Sequence, residues 1–186
     1  MDDDSARTQV VEAADRLFYE HGIRSVGMAQ IRDASGVSLK RLYQLFPAKD
    51  LVAAAALQER DLAFREALRR YLEPLPTPAA KMLGVFDFLH DWFEEPDFRG
   101  CPFINAYGET AAGPDCVLEV VTEQKRALRT LLVDLALDAG RPADLGDQLL
   151  LLANGAMVTA AMLHDPTAAL HARRAAEQLV NAPAER

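Results

Sequence analysis

The chain has 186 residues and a mass of 20.4 kDa; half of its residues are apolar, and its formal net charge is −8 at neutral pH. The longest uncharged run, residues 148–163, is shorter than the roughly 18 residues of a membrane span, and the acidic start lacks the basic residues of a signal peptide. We therefore expect a cytoplasmic protein with no membrane segment, whose length allows one large domain or two small ones.

Abundant Ala and Leu and few runs of β-branched residues predict an all-α fold. The first helix is expected over Ser5–His21, with apolar residues at helical spacing, and Gly22 as its C-terminal cap. Ser25 is expected to cap a second, short helix over Val26–Ser35.

Residues 36–51 carry the most information. Gly36 suits a tight turn between helices, and Ser38 suits the N-cap of a third helix. On that helix Leu42 and Phe46 share the inner side. The outer side then carries polar, basic and aromatic groups, which is what a helix needs to enter the major groove of DNA. The outward residues are Leu39, Lys40, Tyr43 and Gln44.

This order of helices and its residues resemble the tetracycline-repressor (TetR-like) family of bacterial regulators. The resemblance covers about residues 7–57. The matching residues are Ala14, Asp15, Arg16, Leu17, Phe18, His21, Gly22, Ile31, Gly36, Val37, Ser38, Leu42, Tyr43, Phe46, Pro47, Lys49 and Leu51. The chain departs from the pattern at Arg32, Lys40 and Leu45.

The resemblance and the outward positions together give candidate DNA contacts. We expect Lys40, Arg41 and Gln44 to contact bases, with a further contact of Leu39 to a thymine methyl. Ser38, Tyr43 and Lys49 are expected to hold phosphates, and Ser25 completes the candidate set.

The acidic net charge does not oppose this interpretation. Residues 21–50 contain five Lys or Arg and two Asp or Glu, a local charge of +3, so the remaining residues together carry −11. Binding of the DNA backbone needs a basic face and not a basic protein.

The rest of the chain is also expected to be helical. A long fourth helix should follow Pro47 and end near Leu72, before a proline cluster. The remaining helices are expected over about Ala79–Phe93, from Cys101 to before Gly113, over Asp115–Ala139, Pro142–Leu163 and Thr167–Val180. The expected domains are therefore a three-helix helix-turn-helix DNA-binding domain over residues 5–50 and a helical effector-binding and dimerisation domain over residues 51–186, joined by the long helix.

Seven of the thirteen aromatic residues lie between Phe86 and Tyr107, which suits either an ordinary core or an apolar ligand pocket. The family resemblance implies a pocket for a small hydrophobic or aromatic effector. The candidate lining residues are Phe86, Leu89, His90, Phe93, Phe103, Tyr107, Leu118 and Thr122.

The helix over Pro142–Leu163 is apolar nearly all round, which indicates either a central core helix or a helix that contacts a second copy. Because a helix-turn-helix protein that binds paired half-sites is a two-fold dimer, we expect a homodimer. The candidate interface residues are Leu149, Ala153, Ala156, Met157 and Ala160.

Enzymatic motifs such as Gly-x-Ser-x-Gly or a phosphate loop do not occur, so we expect no enzyme and no cofactor. Asp87, His90 and Asp91 share a helix face, but a solvated group is preferred to a metal site. Cys101 and Cys116 are expected to be buried thiols, with a redox pair as the alternative.

These observations predict a ligand-responsive transcriptional regulator, a repressor released from a palindromic double-stranded DNA operator by a small apolar molecule. The alternative is a helical ligand- or protein-binding module without DNA binding.

Overall fold

The computed structural model describes residues 2–110 and 115–182. These residues form nine α-helices and no strand, which confirms the all-α prediction. The helices are α1 Asp3–His21, α2 Met28–Ser35, α3 Leu39–Leu45, α4 Lys49–Leu72, α5 Pro78–Phe93, α6 Pro102–Thr110, α7 Asp115–Asp138, α8 Ala143–Leu163 and α9 Thr167–Asn181. The predicted end of the sixth helix before Gly113 lies outside the described residues.

The chain divides into two compact units. The first contains Met1–Phe64 and Pro102–Gln124, and the second contains Arg65–Cys101 and Lys125–Arg186. This division differs from the boundary expected at residue 50, because the first half of α4 supplies core residues to the helix-turn-helix. Residues 102–124 join the same unit, where the Glu109 carboxylate accepts a hydrogen bond from a backbone N–H of the loop after α1.

In the first unit, α1 packs on α2 and α3, and α2 packs on α3. Their core contains fully buried apolar residues from all three helices and from the start of α4. Each buried Ile or Leu side chain contributes roughly 1.5–3 kcal/mol. The main members of this core are Val10, Ala14, Val26, Ile31, Val37, Leu42, Phe46 and Val52.

The start of α2 corrects one expectation. Ser25 does not cap this helix, because residues 23–25 form a turn and the helix begins only at Met28. Gly27 occupies the N-cap position, and the Gln30 side chain accepts a hydrogen bond of 2.7 Å from its backbone N–H. The sequence signal was the glutamine three residues into the helix, which forms this half of a capping box.

The turn between α2 and α3 forms as expected. Gly36 adopts a left-handed conformation with φ of 70°, which glycine reaches without a steric cost. The Ser38 hydroxyl then accepts a hydrogen bond from the Arg41 backbone N–H and caps α3.

In the second unit, α5, α8 and α9 pack against one another. Close approach of α7 to α8 depends on Gly146, where a Cβ atom would lie 2.6 Å from the Val133 backbone. The Arg141 guanidinium donates hydrogen bonds to the carbonyl oxygens of Leu179, Val180 and Ala182. These carbonyls lie at the end of α9, where only the Leu179 carbonyl has a backbone partner, the Ala182 N–H, among the described residues; Arg141 therefore caps that helix.

The burial of its side chains distinguishes the inner side of α8 from its outer side. The five residues expected at a dimer interface are at most 5% exposed, so they pack inside the protomer and are not available to a partner. That assignment of residues was wrong, because a helix that is apolar all round has two candidate faces. The outward side carries Leu151, Gly155, Val158 and Met162.

Among the described helices, α8 alone is long and apolar enough to cross a membrane by length and composition. A buried core helix meets the same criterion. Because the residues on the inner side of α8 are buried in the protomer, we interpret α8 as a core helix.

Candidate functional site

The α3 helix presents its polar residues to solvent. Lys40, Tyr43 and Gln44 are exposed, whereas Leu39 and Arg41 are half-buried. Leu42 is fully buried on the opposite side and anchors the helix to the core. The predicted outward and inward sides of this helix therefore match the structure, although a DNA contact of any of these residues remains a prediction.

Arg41 has partners inside the protein. Its guanidinium forms an ion pair with the Asp3 carboxylate in the first turn of α1, and a hydrogen bond of 3.4 Å joins it to the Gln44 side chain. These contacts hold Arg41 and Gln44, two of the three candidate base-contacting residues, within the protomer. The acidic start of the chain gave no signal for this pairing, because it depends on how α1 and α3 cross.

Lys49 has an internal role that the sequence did not reveal. Its ammonium donates hydrogen bonds of 2.8 Å and 3.0 Å to the carbonyl oxygens of Ile23 and Val26. These bonds fix the loop between α1 and α2, directly before the helix-turn-helix. An additional phosphate contact by Lys49 stays a prediction.

The same loop is held from a second direction. The Glu109 carboxylate on α6 accepts a hydrogen bond of 2.8 Å from the Arg24 backbone N–H and lies against Gly22. Ser25 is exposed in this loop, so its hydroxyl is accessible. The lysine and the glutamate thus position the loop that carries this candidate DNA contact.

The eight candidate ligand residues are divided between the two units. Phe86, Leu89, His90 and Phe93 belong to the second unit, and the other four belong to the first. Phe86 and Leu89 are fully buried, while Tyr107 is 57% exposed. A pocket that unites all eight residues stays a prediction.

Some of the aromatic residues pack on one another. The Phe93 and Phe98 rings lie 4.7 Å apart between centroids, and Phe98 also meets Trp92 edge to face at 5.2 Å. Such contacts stabilise a core. Phe98 and Trp92 are half-buried and pack against the buried Phe93 in the second unit.

The histidine cluster differs from the one that the sequence suggested. Asp87 forms an ion pair with Arg173 at 2.7 Å, so it is not a free partner of His90. Instead the ligand-forming atoms of His90, Asp91 and Glu94 lie within 4.8 Å of one another. Two of these three residues are exposed, and we assign no metal to them.

Both cysteines are free thiols, Cys101 buried and Cys116 half-buried. The Cys101 sulfur lies 3.5 Å from the Lys125 ammonium, and the Cys116 thiol lies 3.8 Å from the Asp50 carbonyl oxygen. Each cysteine therefore has a local polar neighbour within its own unit.

Comparisons with known proteins agree with the geometry of the first unit. Residues 10–56 match the family described as bacterial regulatory proteins, tetR family. A transcriptional activator of the helix-turn-helix type, FasR from Mycolicibacterium smegmatis, is 29% identical, and the match covers 74% of this chain and 72% of that protein.

Solved structures extend the similarity to the whole chain. A TetR-family transcriptional regulator from Streptomyces coelicolor superposes with a TM-score of 0.86 at 26% identity, covering 95% of each chain. A tetR-type regulator from Streptomyces avermitilis gives 0.79 at 28% identity, covering 92% of this chain and 98% of that one. The reduced form of E. coli NemR shares the fold, with a TM-score of 0.86 at 16% identity over 97% and 99% of the chains.

The matched segment contains the whole helix-turn-helix and the start of α4, and the similarity in fold continues through α9. The helix-turn-helix of this chain is therefore similar to that of the tetR family of bacterial regulatory proteins, and its fold is that of solved TetR-family regulators.

Proposed function

We propose that this protein is a DNA-binding transcriptional regulator under the control of a small molecule. More specifically, it is a repressor that a small apolar effector releases from a palindromic operator. The observation that carries the proposal is the exposed row of Lys40, Tyr43 and Gln44 on α3, inside the segment that matches the family. The relatives named above are transcriptional regulators and not enzymes, which supports the choice of class.

The distribution of charge supports binding to DNA. The local charge of +3 over residues 21–50 lies on the helix-turn-helix, in a chain that is otherwise acidic. Such a protein binds non-specific DNA weakly, because few phosphates are neutralised. Its affinity falls as salt rises, because each phosphate contact releases counterions. A regulator of this kind meets its operator in the cytoplasm.

The outward side of α8 supports the proposal of a homodimer. Leu151 and Met162 are 73% and 74% exposed, and Val158 lies between them on the same side of the helix. Exposed apolar side chains in a row favour contact with another surface. We place the two-fold interface on this side of α8 together with α9, so that the two copies of α3, the candidate recognition helix, face two half-sites.

The effector acts by changing the geometry of this dimer. Two half-sites one DNA turn apart require recognition helices separated by about 34–36 Å. An effector that binds more tightly to a dimer state with a different separation lowers the affinity for the operator. The change in the free energy of operator binding cannot exceed the difference between the effector's binding free energies to the two states. The candidate effector is apolar, since the candidate lining residues carry few charges.

The proposal is tested by fluorescence anisotropy with labelled DNA that flanks the protein's own gene. We expect specific binding by the wild-type protein. Gln44→Ala should relax discrimination at one base pair per half-site, by roughly 1–3 kcal/mol, because an amide side chain pairs with one base edge. Gln9→Ala, an exposed glutamine on α1, is the matched control and should leave discrimination unchanged.

A reporter gene behind the same DNA distinguishes a repressor from an activator. Deletion of the regulator should raise expression if it represses. Lower expression on deletion would instead indicate an activator, which is the role named for the relative FasR. Absence of any specific DNA binding would favour the alternative, a helical ligand- or protein-binding module.

A further inference from the structure

A cleft of about 460 Å³ opens within the first unit, and the exposed residues Lys40, Tyr43 and Gln44 of α3 are not part of its lining. It lies between α4 and α7, and its volume falls in the usual range for small-molecule sites. Its apolar wall contains the end of the recognition helix. The residues that form this wall are Leu45, Phe46, Leu51, Ala54, Ala55 and Val120.

The lining of the cleft also contains acidic residues. Asp61, Glu119 and Glu123 line it, and Arg7 is the one basic residue among the lining residues, so the described lining carries a formal charge of −2. Glu119 and Glu123 are exposed and lie four residues apart on α7, where like charges repel. Neither has an ion-pair partner in the part of the chain that the structure describes. A cation in the cleft would relieve this repulsion.

Arg7 contacts the apolar wall of the cleft. Its guanidinium lies over the Phe46 ring, 4.4 Å from the ring centroid. This is a cation–π contact, in which the face of an aromatic ring attracts a positive group. Because Arg7 already occupies this ring face and Phe46 is 2% exposed, the carboxylates of Glu119 and Glu123 are the groups of the lining that would favour the positive charge of a ligand.

We propose that this cleft binds an organic cation with an apolar body. The apolar part packs on the wall formed by α3 and α4, and the positive charge lies beside Glu119 and Glu123. The ligand then touches Leu45, the last residue of the recognition helix, and Phe46, its C-cap. Resting on the proposed function, we infer that such a ligand changes operator affinity through this end of α3.

The test compares two probe ions of the same shape and opposite charge, tetraphenylphosphonium and tetraphenylborate, by isothermal titration calorimetry. We expect the phosphonium ion to bind and the borate ion to bind at least tenfold more weakly. The double variant Glu119→Gln, Glu123→Gln should weaken phosphonium binding by about tenfold, since two carboxylate charges are removed at close range. The double variant Glu12→Gln, Glu59→Gln, at two exposed positions outside the cleft lining, is the charge-matched control and should change little.

The location of the probe is read from Cys116, which lines the cleft and is half-buried, whereas Cys101 is buried. Bound phosphonium should slow the alkylation of Cys116 by iodoacetamide, measured by mass spectrometry of the separate peptides. Phosphonium binding that is unaffected by the double variant, equal binding of both ions, or unprotected Cys116 would overturn the proposal.

Operator binding is measured separately with the unmodified protein. Charge-dependent probe binding without any DNA binding would refute the proposed function and leave the site in place. DNA binding without probe binding would refute the cation site and leave the proposed function in place. Equal operator affinity with and without bound phosphonium would refute the coupling alone.

Discussion

Arg41 on the recognition helix forms an ion pair with Asp3 in the first turn of α1. Asp3 is 70% exposed and Arg41 is 35% exposed, so the pair lies at the surface next to the candidate base contacts. For Arg41 to contact DNA, its guanidinium has to leave this carboxylate. If Arg41 contacts the operator as predicted, the pair competes with the operator for the same positive group.

Asp3→Asn should strengthen DNA binding. An exposed ion pair is worth about 0.2–1 kcal/mol, so release of Arg41 should raise affinity by up to about fivefold. Asp4→Asn is the matched control, because it removes the same charge one residue away from the pair. Anisotropy titrations at several salt concentrations measure both variants, and equal gains in the two would show that only the net charge matters.

Lys49→Met should lower the free energy of unfolding. The variant leaves the carbonyl oxygens of Ile23 and Val26 without their donor, in a half-buried setting. An unsatisfied buried acceptor costs about 1–3 kcal/mol, which urea unfolding followed by circular dichroism resolves. Lys40→Met is the control on the exposed side of α3, and we expect a change within about 0.5 kcal/mol. Equal stability of the two variants would show that the loop does not depend on Lys49.

The double variant Leu151→Glu, Met162→Glu should give a folded monomer. Both side chains are exposed in the protomer, so charges there disturb a partner contact and not the core. Analytical ultracentrifugation measures the mass, and circular dichroism should show an unchanged helix content. Leu62→Glu makes the same kind of change at another exposed leucine and should stay dimeric. A wild-type monomer at micromolar concentration would refute the dimer itself.

The sequence predicted the helices well where local signals are strong. Gly36 and Ser38 define the turn before α3, and the apolar spacing of Leu42 and Phe46 gives its inner side. These features depend on a few neighbouring residues. Hence the order of the nine described helices could be predicted without a structure.

Features that depend on packing could not be predicted in the same way. The α8 helix is apolar on two sides, and only its position against α5 and α9 decides that Ala156 faces inward and Leu151 outward. The hydrogen bonds of Lys49 reach carbonyl oxygens 23 and 26 residues away along the chain, so no local sequence pattern predicts them. For the same reason the acidic cleft was missed, because its residues come from four separate helices.

Gly146→Ala should destabilise the second unit, although alanine has the better helix propensity. The added Cβ atom would lie 2.6 Å from the Cα and N atoms of Val133, and a backbone segment cannot rotate away as a side chain can. Overpacking of this kind costs about 1–3 kcal/mol. Gly108→Ala in α6 is the control, because no atom lies within 4 Å of its Cβ position. There the substitution should stabilise the protein by up to about 1 kcal/mol, since glycine is a poor helix former. Urea midpoints with unchanged slopes measure both effects, and a stabilising Gly146→Ala would show that α7 and α8 have room to separate.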